Sequence, residues 1–133
     1  MIVEREASKM IERMVGKKAP HFEMNALLAD KSFGQVSLKE NMEREKWTVL
    51  LFYPMDFTLV CPTEITAVSD RYDEFKELDT EVIGISTDSV YAHLAWVNTE
   101  RFRNGVGKLN FALASEQNHR ICKQYGVLVE EEG

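Results

Sequence analysis

A chain of 133 residues fits one domain, and 44% hydrophobic with 29% charged content is ordinary for a globular protein that buries a core without metals or disulfides. The 16 basic and 22 acidic residues leave a net charge of −6, which argues against nucleic acid or an anionic membrane as the main partner. Two cysteines are too few for a secreted disulfide framework, the apolar runs are too short to span a bilayer, and the acidic start Met1-Ile2-Val3-Glu4 is unlike a signal peptide, so a reducing, cytoplasmic setting is expected.

Ile2, Val3, Met10, Ile11 and Met14 recur at roughly helical spacing among Glu, Lys and Arg, which predicts an amphipathic helix or a plain extension over residues 1–15, ended by Gly16. Residues 16–133 are then the domain proper. After Pro20 the alternation of Phe22, Met24, Ala26 and Leu28 predicts a half-buried strand. Phe33, Val36 and Leu38 around Gly34 predict a short edge strand that closes a hairpin with Asp30-Lys31 near the turn. The continuous apolar run from Trp47 to Tyr53 predicts a central strand buried on both faces. From Pro62 onward Ile65, Val68, Tyr72, Phe75 and Leu78 keep helical spacing, and residues 81–86 predict a second buried strand. Asp88 or Ser89 caps the next helix, with Tyr91, Leu94, Ala95 and Val97 facing inward. Asn104-Gly105-Val106-Gly107 is a loop, residues 109–113 a strand, residues 115–125 a helix ended by Gly126, and Val127-Leu128-Val129 the start of a further element. Strand, helix, strand, helix, strand is the order of a parallel α/β sheet with right-handed crossovers.

Cys61 is the residue with most chemistry in prospect. It stands where the apolar run has given way, through residues 54–60, to a helical pattern. A thiol at the first turn of a helix meets unpaired backbone N–H groups and the positive end of the helix dipole, and both favour the nucleophilic thiolate. By position alone it reads equally as a nucleophile or as a small buried hydrophobe, which most free cysteines are. Open α/β sheets place ligands past the C-terminal ends of their strands, where this segment lies. Thr58, three residues earlier, brings a hydroxyl, Pro54 and Pro62 stiffen the segment, and Glu64 is placed to orient a cation or a backbone group. No second cysteine makes a C-x-x-C pair, which argues against a thioredoxin-type disulfide oxidoreductase. His21, His93 and His119 are scattered, without metal-ligand spacing, and Cys122 alternates with Ile121 and Tyr125 as a packing residue.

The string Phe52-Tyr53-Pro54-Met55-Asp56-Phe57-Thr58-Leu59-Val60-Cys61-Pro62-Thr63-Glu64 closely resembles the active-site segment of the peroxiredoxins, whose signature is Pro-x-x-x-Thr-x-x-Cys. Val60-Cys61-Pro62-Thr63-Glu64 is similar to the typical two-cysteine, alkyl-hydroperoxide-reductase branch. Further matches follow in order: Lys18-Ala19-Pro20, Ser86-Thr87-Asp88-Ser89, His93 through Thr99, and Tyr125-Gly126-Val127-Leu128. The resemblance implies a thioredoxin-like fold in its peroxiredoxin variant and thiol-dependent reduction of hydrogen peroxide and organic hydroperoxides. It assigns Cys61 as the peroxidatic nucleophile that becomes a sulfenic acid, Thr58 as a hydrogen-bond partner of peroxide and thiolate, Pro54 as a shield, and Glu64 as the holder of an essential arginine. It implies no metal, flavin or haem, a thiol reductant such as a thioredoxin-like protein or a flavoprotein disulfide reductase, and a homodimer or larger homo-oligomer.

The resemblance covers about the first two-thirds of a usual member. The strand that carries the family's active-site arginine, the C-terminal part of the sheet and the resolving cysteine correspond to positions past Gly133. Weak activity is expected of residues 1–133 alone, with Arg101, Arg103 and Arg120 as the arginines available to stand in; the alternative reading is an impaired oligomerising or holdase-like module. The Gly-Gly-Leu-Gly motif tied to sensitivity to overoxidation is altered here to Asn104-Gly105-Val106-Gly107, which puts that trait in doubt.

Overall fold

In the computed structural model the described residues are 15–57 and 61–127, with Cys61 described by its backbone. The predicted N-terminal helix, Thr58 and the residues from Leu128 onward lie outside them. Strand β1 (Glu23–Leu27) turns back into β2 (Phe33–Ser37), as predicted, in antiparallel register from Glu23↔Ser37 to Leu27↔Phe33. Lys31 takes the left-handed φ of 67° that the tight turn needs, and the Asp30 carboxylate accepts the Ser32 N–H at 3.0 Å. A short helix α1 (Leu38–Glu43) follows and was not predicted, because six residues with one apolar turn carry no periodic signal. Next come β3 (Trp47–Phe52), α2 (Cys61–Asp70), α3 (Tyr72–Glu77), β4 (Thr80–Ser86), α4 (Val90–Val97), a 3-10 turn (Arg101–Arg103), β5 (Ala112–Ser115) and α5 (Arg120–Gln124).

The five strands form one mixed sheet in the order β2-β1-β5-β4-β3. β3, β4 and β5 are parallel, as the alternation of strand and helix requires, and β1 joins β5 antiparallel. Alternate side chains build a core on each face. Leu27, Val82 and Leu113 pack with Ile65, Trp96, Val106, Leu109 and Phe111 on one side, while Phe22, Met24, Ala26, Ile83, Ile85 and Ile121 pack on the other. β4 is the strand that meets the prediction for a buried centre: Val82 through Ser86 are all buried, between neighbours on both sides.

Several expectations are corrected. The run at 47–53 forms an edge strand among the described residues, pairing β4 alone, so Trp47 is 77% and Val49 40% exposed. Its far end is partly buried, with Leu51 packed against one core and Leu50 and Phe52 against the other. The predicted long helix breaks at Arg71 into α2 and α3, and Leu78, past the end of α3, is exposed. In α4, capped as foreseen by the Ser89 hydroxyl accepting the Ala92 N–H, Tyr91 and Ala95 face solvent, and His93, Trp96 and Val97 are buried. Phe33 edge-stacks on Tyr91, which gives both exposed rings a neighbour. The last strand starts at Ala112 and the last helix only at Arg120, because residues 116–119 turn between them, with His119 at φ 62°. No helix of the described residues is long and apolar enough to cross a membrane.

Candidate active site

Cys61 is the first residue of α2, and Pro62 occupies the first turn, where its missing N–H leaves no partner wanting. The loop from Tyr53 to the helix leaves the C-terminal end of β3, as predicted, and Tyr53 N–H donates to the Ile85 carbonyl at 3.0 Å, extending the β3–β4 ladder into it. Pro54 and Met55 are exposed at the loop's outer side, and Glu64 is exposed in the first turn of α2. Loop and helix therefore bring Pro54, Cys61 and Glu64 to one end of the sheet; Thr58 is not among the described residues.

The loop is held from beneath by residues that the sequence reading passed over. Asp56 is 6% exposed and His93, on α4, wholly buried. His93 Nδ1 lies 2.7 Å from Asp56 Oδ2, and Tyr53 donates its hydroxyl to Asp56 Oδ1 at 2.7 Å. His93 Nε2 faces the Ala114 carbonyl of β5 at 3.0 Å. A carbonyl only accepts, so Nε2 donates its N–H there. The Asp56 backbone N–H donates to Asp88 Oδ2 at 2.7 Å, and the same oxygen accepts the Ser86 hydroxyl at 2.9 Å. Burial, and next the neighbouring Asp56 carboxylate, push the Tyr53 phenol well above its ordinary range, so it stays a donor. Sequence carried one faint signal for this cluster: an aspartate and a histidine inside strings otherwise read as motif and helix face.

Asp56, Asp88 and His93 place ligand atoms within 4.8 Å of one another, which is metal-site geometry. Those atoms are already engaged with each other, with Tyr53 and with Ser86, so an ion there would have to replace the network. The site reads more simply as a structural clamp.

A second tether comes from the 104–107 loop. Phe57 adopts φ 64°, a left-handed conformation uncommon for a large side chain, and its carbonyl accepts the Asn104 side-chain amide at 2.9 Å. Asn104 itself sits at φ 66°, which asparagine tolerates better than most residues. The Asn104 carbonyl in turn accepts the Trp96 indole N–H at 3.1 Å. Gly105 lets this loop lie against the turn that follows α4, since a Cβ there would collide with the Thr99 carbonyl.

Of the arginines considered as stand-ins, Arg101 is engaged elsewhere. Arg101 forks onto Asp70 at 2.7 and 3.0 Å, and Asp70 closes α2 while Cys61 opens it, roughly 13 Å away along a helix rising about 1.5 Å per residue. That pairing, chiefly its hydrogen bonds, lowers the Asp70 carboxyl and raises the Arg101 guanidinium. Arg120 opens α5 and Arg103 ends the 3-10 turn, its guanidinium over the Phe102 ring.

Cys122 packs as predicted, 6% exposed in α5. Burial first, and then a hydrogen bond and charge from Glu116, push its thiol up to about 12. Glu116 is itself buried; one carboxylate oxygen accepts the Cys122 N–H at 3.2 Å and the other has no partner among the described residues. Native protein treated with iodoacetamide at pH 8 is therefore expected to be labelled at Cys61 and spared at Cys122, with both labelled after denaturation; peptide mass spectrometry reads this, and rapid native labelling of Cys122 would contradict it. The raised value also fixes a sign: unfolding frees the thiol to ionise, so its contribution to stability is whole below about pH 9 and is lost as pH climbs towards about 12.

The AhpC/TSA family pattern matches residues 15–133. The YkuU protein of Bacillus subtilis (strain 168), a provisionally named peroxiredoxin, is 67% identical over 124 residues, covering 93% of this chain and 69% of that protein. The chloroplastic 2-Cys peroxiredoxin BAS1 of Spinacia oleracea is 51% identical over 120 residues, covering 90% of this chain and 44% of its own length. Among solved structures, reduced Plasmodium vivax 2-Cys peroxiredoxin superimposes with a TM-score of 0.86 at 42% identity, over 90% of this chain and 61% of that one. The chain thus spans between about half and two-thirds of the length of these relatives.

Proposed function

The chain belongs to the AhpC/TSA family and has its thioredoxin-like fold, and from that premise we propose that it reduces hydrogen peroxide and organic hydroperoxides through Cys61. The observation that carries this reading is the placement of Cys61 as the first residue of α2, past the C-terminal end of β3, inside the motif Pro54-x-x-x-Thr58-x-x-Cys61. Helix N–H groups and dipole stabilise the thiolate there. The thiolate sulfur attacks the terminal peroxide oxygen. The S–O bond forms as the O–O bond breaks, the sulfur is oxidised to sulfenic acid, and the departing hydroxide or alkoxide takes up a proton to leave as water or alcohol. Backbone N–H groups at the start of α2 are suited to hold the negative charge shifting onto oxygen.

Thr58 serves as the hydroxyl that bonds the peroxide and the thiolate, and Pro54, exposed beside the site, limits access of water to the sulfenate. Glu64, in the first turn of α2, orients an arginine; Arg101 does not serve there, being engaged by Asp70. The sulfenic acid then condenses with a thiol to a disulfide, releasing water, and a dithiol reductant of the thioredoxin-like or flavoprotein disulfide reductase class returns Cys61 to the thiol. A cytoplasmic, reducing location and assembly into a homodimer or larger homo-oligomer complete the reading; exposed Phe102, Trp47 and Met42 offer apolar contact surface.

A single-turnover test suffices: one equivalent of hydrogen peroxide, then a dimedone trap and peptide mass spectrometry. Sulfenic acid at Cys61, formed far faster than on free cysteine, is the expected result. Oxidation at the free-cysteine rate, with large oligomers, would favour instead the holdase-like reading, for which the edge position of β3 among the described residues, with exposed Trp47 and Val49, speaks.

A further inference from the structure

The network beneath the peroxidatic loop crosses three segments that are far apart in sequence. His93 on α4 grips the end of β5 through Ala114, and grips the loop through Asp56. Asp88, at the entrance to α4, holds the Asp56 backbone N–H, and the Asp88 carbonyl accepts the Ser115 hydroxyl at the end of β5. We propose that Asp56, His93 and Asp88 are positioning residues for Cys61, forming a buried clamp that fixes the loop between β3 and α2 and thereby the placement of the thiol. This rests on the peroxidase reading above.

Three considerations support it. The clamp is close to the thiol in sequence: Asp56 precedes Cys61 by five positions. The loop also contains a strained element, Phe57 at φ 64°, and such a conformation persists only where its surroundings over-determine it. Clamp and Asn104 tether supply that constraint from either side of the Asp56–Phe57 peptide. Finally, a buried carboxylate and imidazole exact a desolvation penalty, and here the pair ties the loop at Asp56 to the end of β5 at Ala114. Displacing a reacting group by about 1 Å costs up to about 100-fold in rate, so rigid placement of the loop is a term of the size that matters for reactivity.

The test compares three variants in the full chain, each at a temperature where circular dichroism shows it folded. Asp56→Ala removes the bridge. Asp56→Asn keeps its shape, its acceptor for Tyr53 and an amide that can donate to Nδ1 while Nε2 keeps its bond to the Ala114 carbonyl. Asp88→Ala, at a half-buried position, frees the Asp56 N–H with less risk to folding and carries the test alone if Asp56→Ala does not fold. The expected outcome for single-turnover sulfenic acid formation is a fall of about 10- to 100-fold in Asp56→Ala, about 10-fold in Asp88→Ala, and no more than about threefold in Asp56→Asn. Folded Asp88→Ala or Asp56→Ala reacting within about twofold of the parent overturns the clamp, and so does Asp56→Asn as slow as Asp56→Ala. Should the parent react with peroxide no faster than free cysteine, the peroxidase reading fails by itself. Hydrogen exchange over residues 54–60 then judges the clamp: about tenfold faster exchange in Asp88→Ala supports it, unchanged exchange overturns it.

Discussion

Replacing Cys61 with serine is expected to bring hydroperoxide consumption down to the uncatalysed rate, a fall of at least about three orders of magnitude in the second-order rate constant. The substitution exchanges one atom, so the loss isolates chemistry from fold. A helix N-terminus lowers the energy of an anion by about 1 kcal/mol, enough to bias a thiol whose ordinary value is near 8.5 but far too little to ionise an alcohol at neutral pH. Sulfur also passes to sulfenic acid by gaining oxygen, a step with no counterpart for the serine hydroxyl. Stability should move little, within about 0.5 kcal/mol, because serine is well tolerated at a helix start. The check is a peroxide-consumption assay beside a thermal melt of the same preparation. Residual activity above a few per cent in a correctly melting Cys61→Ser protein would show that the oxidised group lies elsewhere, and Cys122, protonated up to about pH 12 and buried in α5, is a poor place to look.

How much of this was legible in the sequence differs between fold and site. The β1–β2 hairpin and the Ser89 cap follow from local patterns, and the alternation of strand and helix along the chain implies the parallel order of β3, β4 and β5, although that pairing joins residues about 30 positions apart. Whether a strand is central or at an edge is set by its lateral neighbours, and those come from distant parts of the chain. An apolar run such as 47–53 is therefore compatible with either, and Trp47 proved exposed. In α4 the short amphipathic pattern permitted two faces; the sheet selected the one with His93, Trp96 and Val97, leaving Tyr91 and Ala95 outside. Cys61, Pro54 and Glu64 were visible because they stand within one short string. Asp56, Asp88 and His93 were not, because a clamp made of side chains 32 and 37 positions apart has no local signature. Nor could sequence show that Arg101 is taken by Asp70, which is 31 positions away.

Trp96 joins the core to the active-site loop, and replacing it with alanine is the core change expected to do most harm. Its side chain is wholly buried, in the same cluster as Leu109 and Phe111, with the Tyr53 ring 5.5 Å and the Phe57 ring 6.3 Å away, centroid to centroid. Removing an indole from such a setting leaves a large cavity and costs about 3–5 kcal/mol, a sizeable share of the roughly 5–15 kcal/mol that holds a domain together. A melting point lower by about 10 °C or more is expected. Leu109→Ala, equally buried in that cluster, serves as the comparison, at about 2–5 kcal/mol. The two should part company in chemistry. Leu109 packs in the core cluster and has no hydrogen-bonding side-chain group, whereas Trp96 also holds the Asn104 carbonyl by its indole N–H, and Asn104 holds Phe57. Folded Trp96→Ala is thus expected to form Cys61 sulfenic acid about tenfold more slowly than folded Leu109→Ala, with Trp96→Phe, which keeps a ring against Tyr53 but gives up the N–H and part of the indole, falling between them. If all three react alike once folded, the indole supports stability alone, and the tether through Asn104 has no part in placing the thiol.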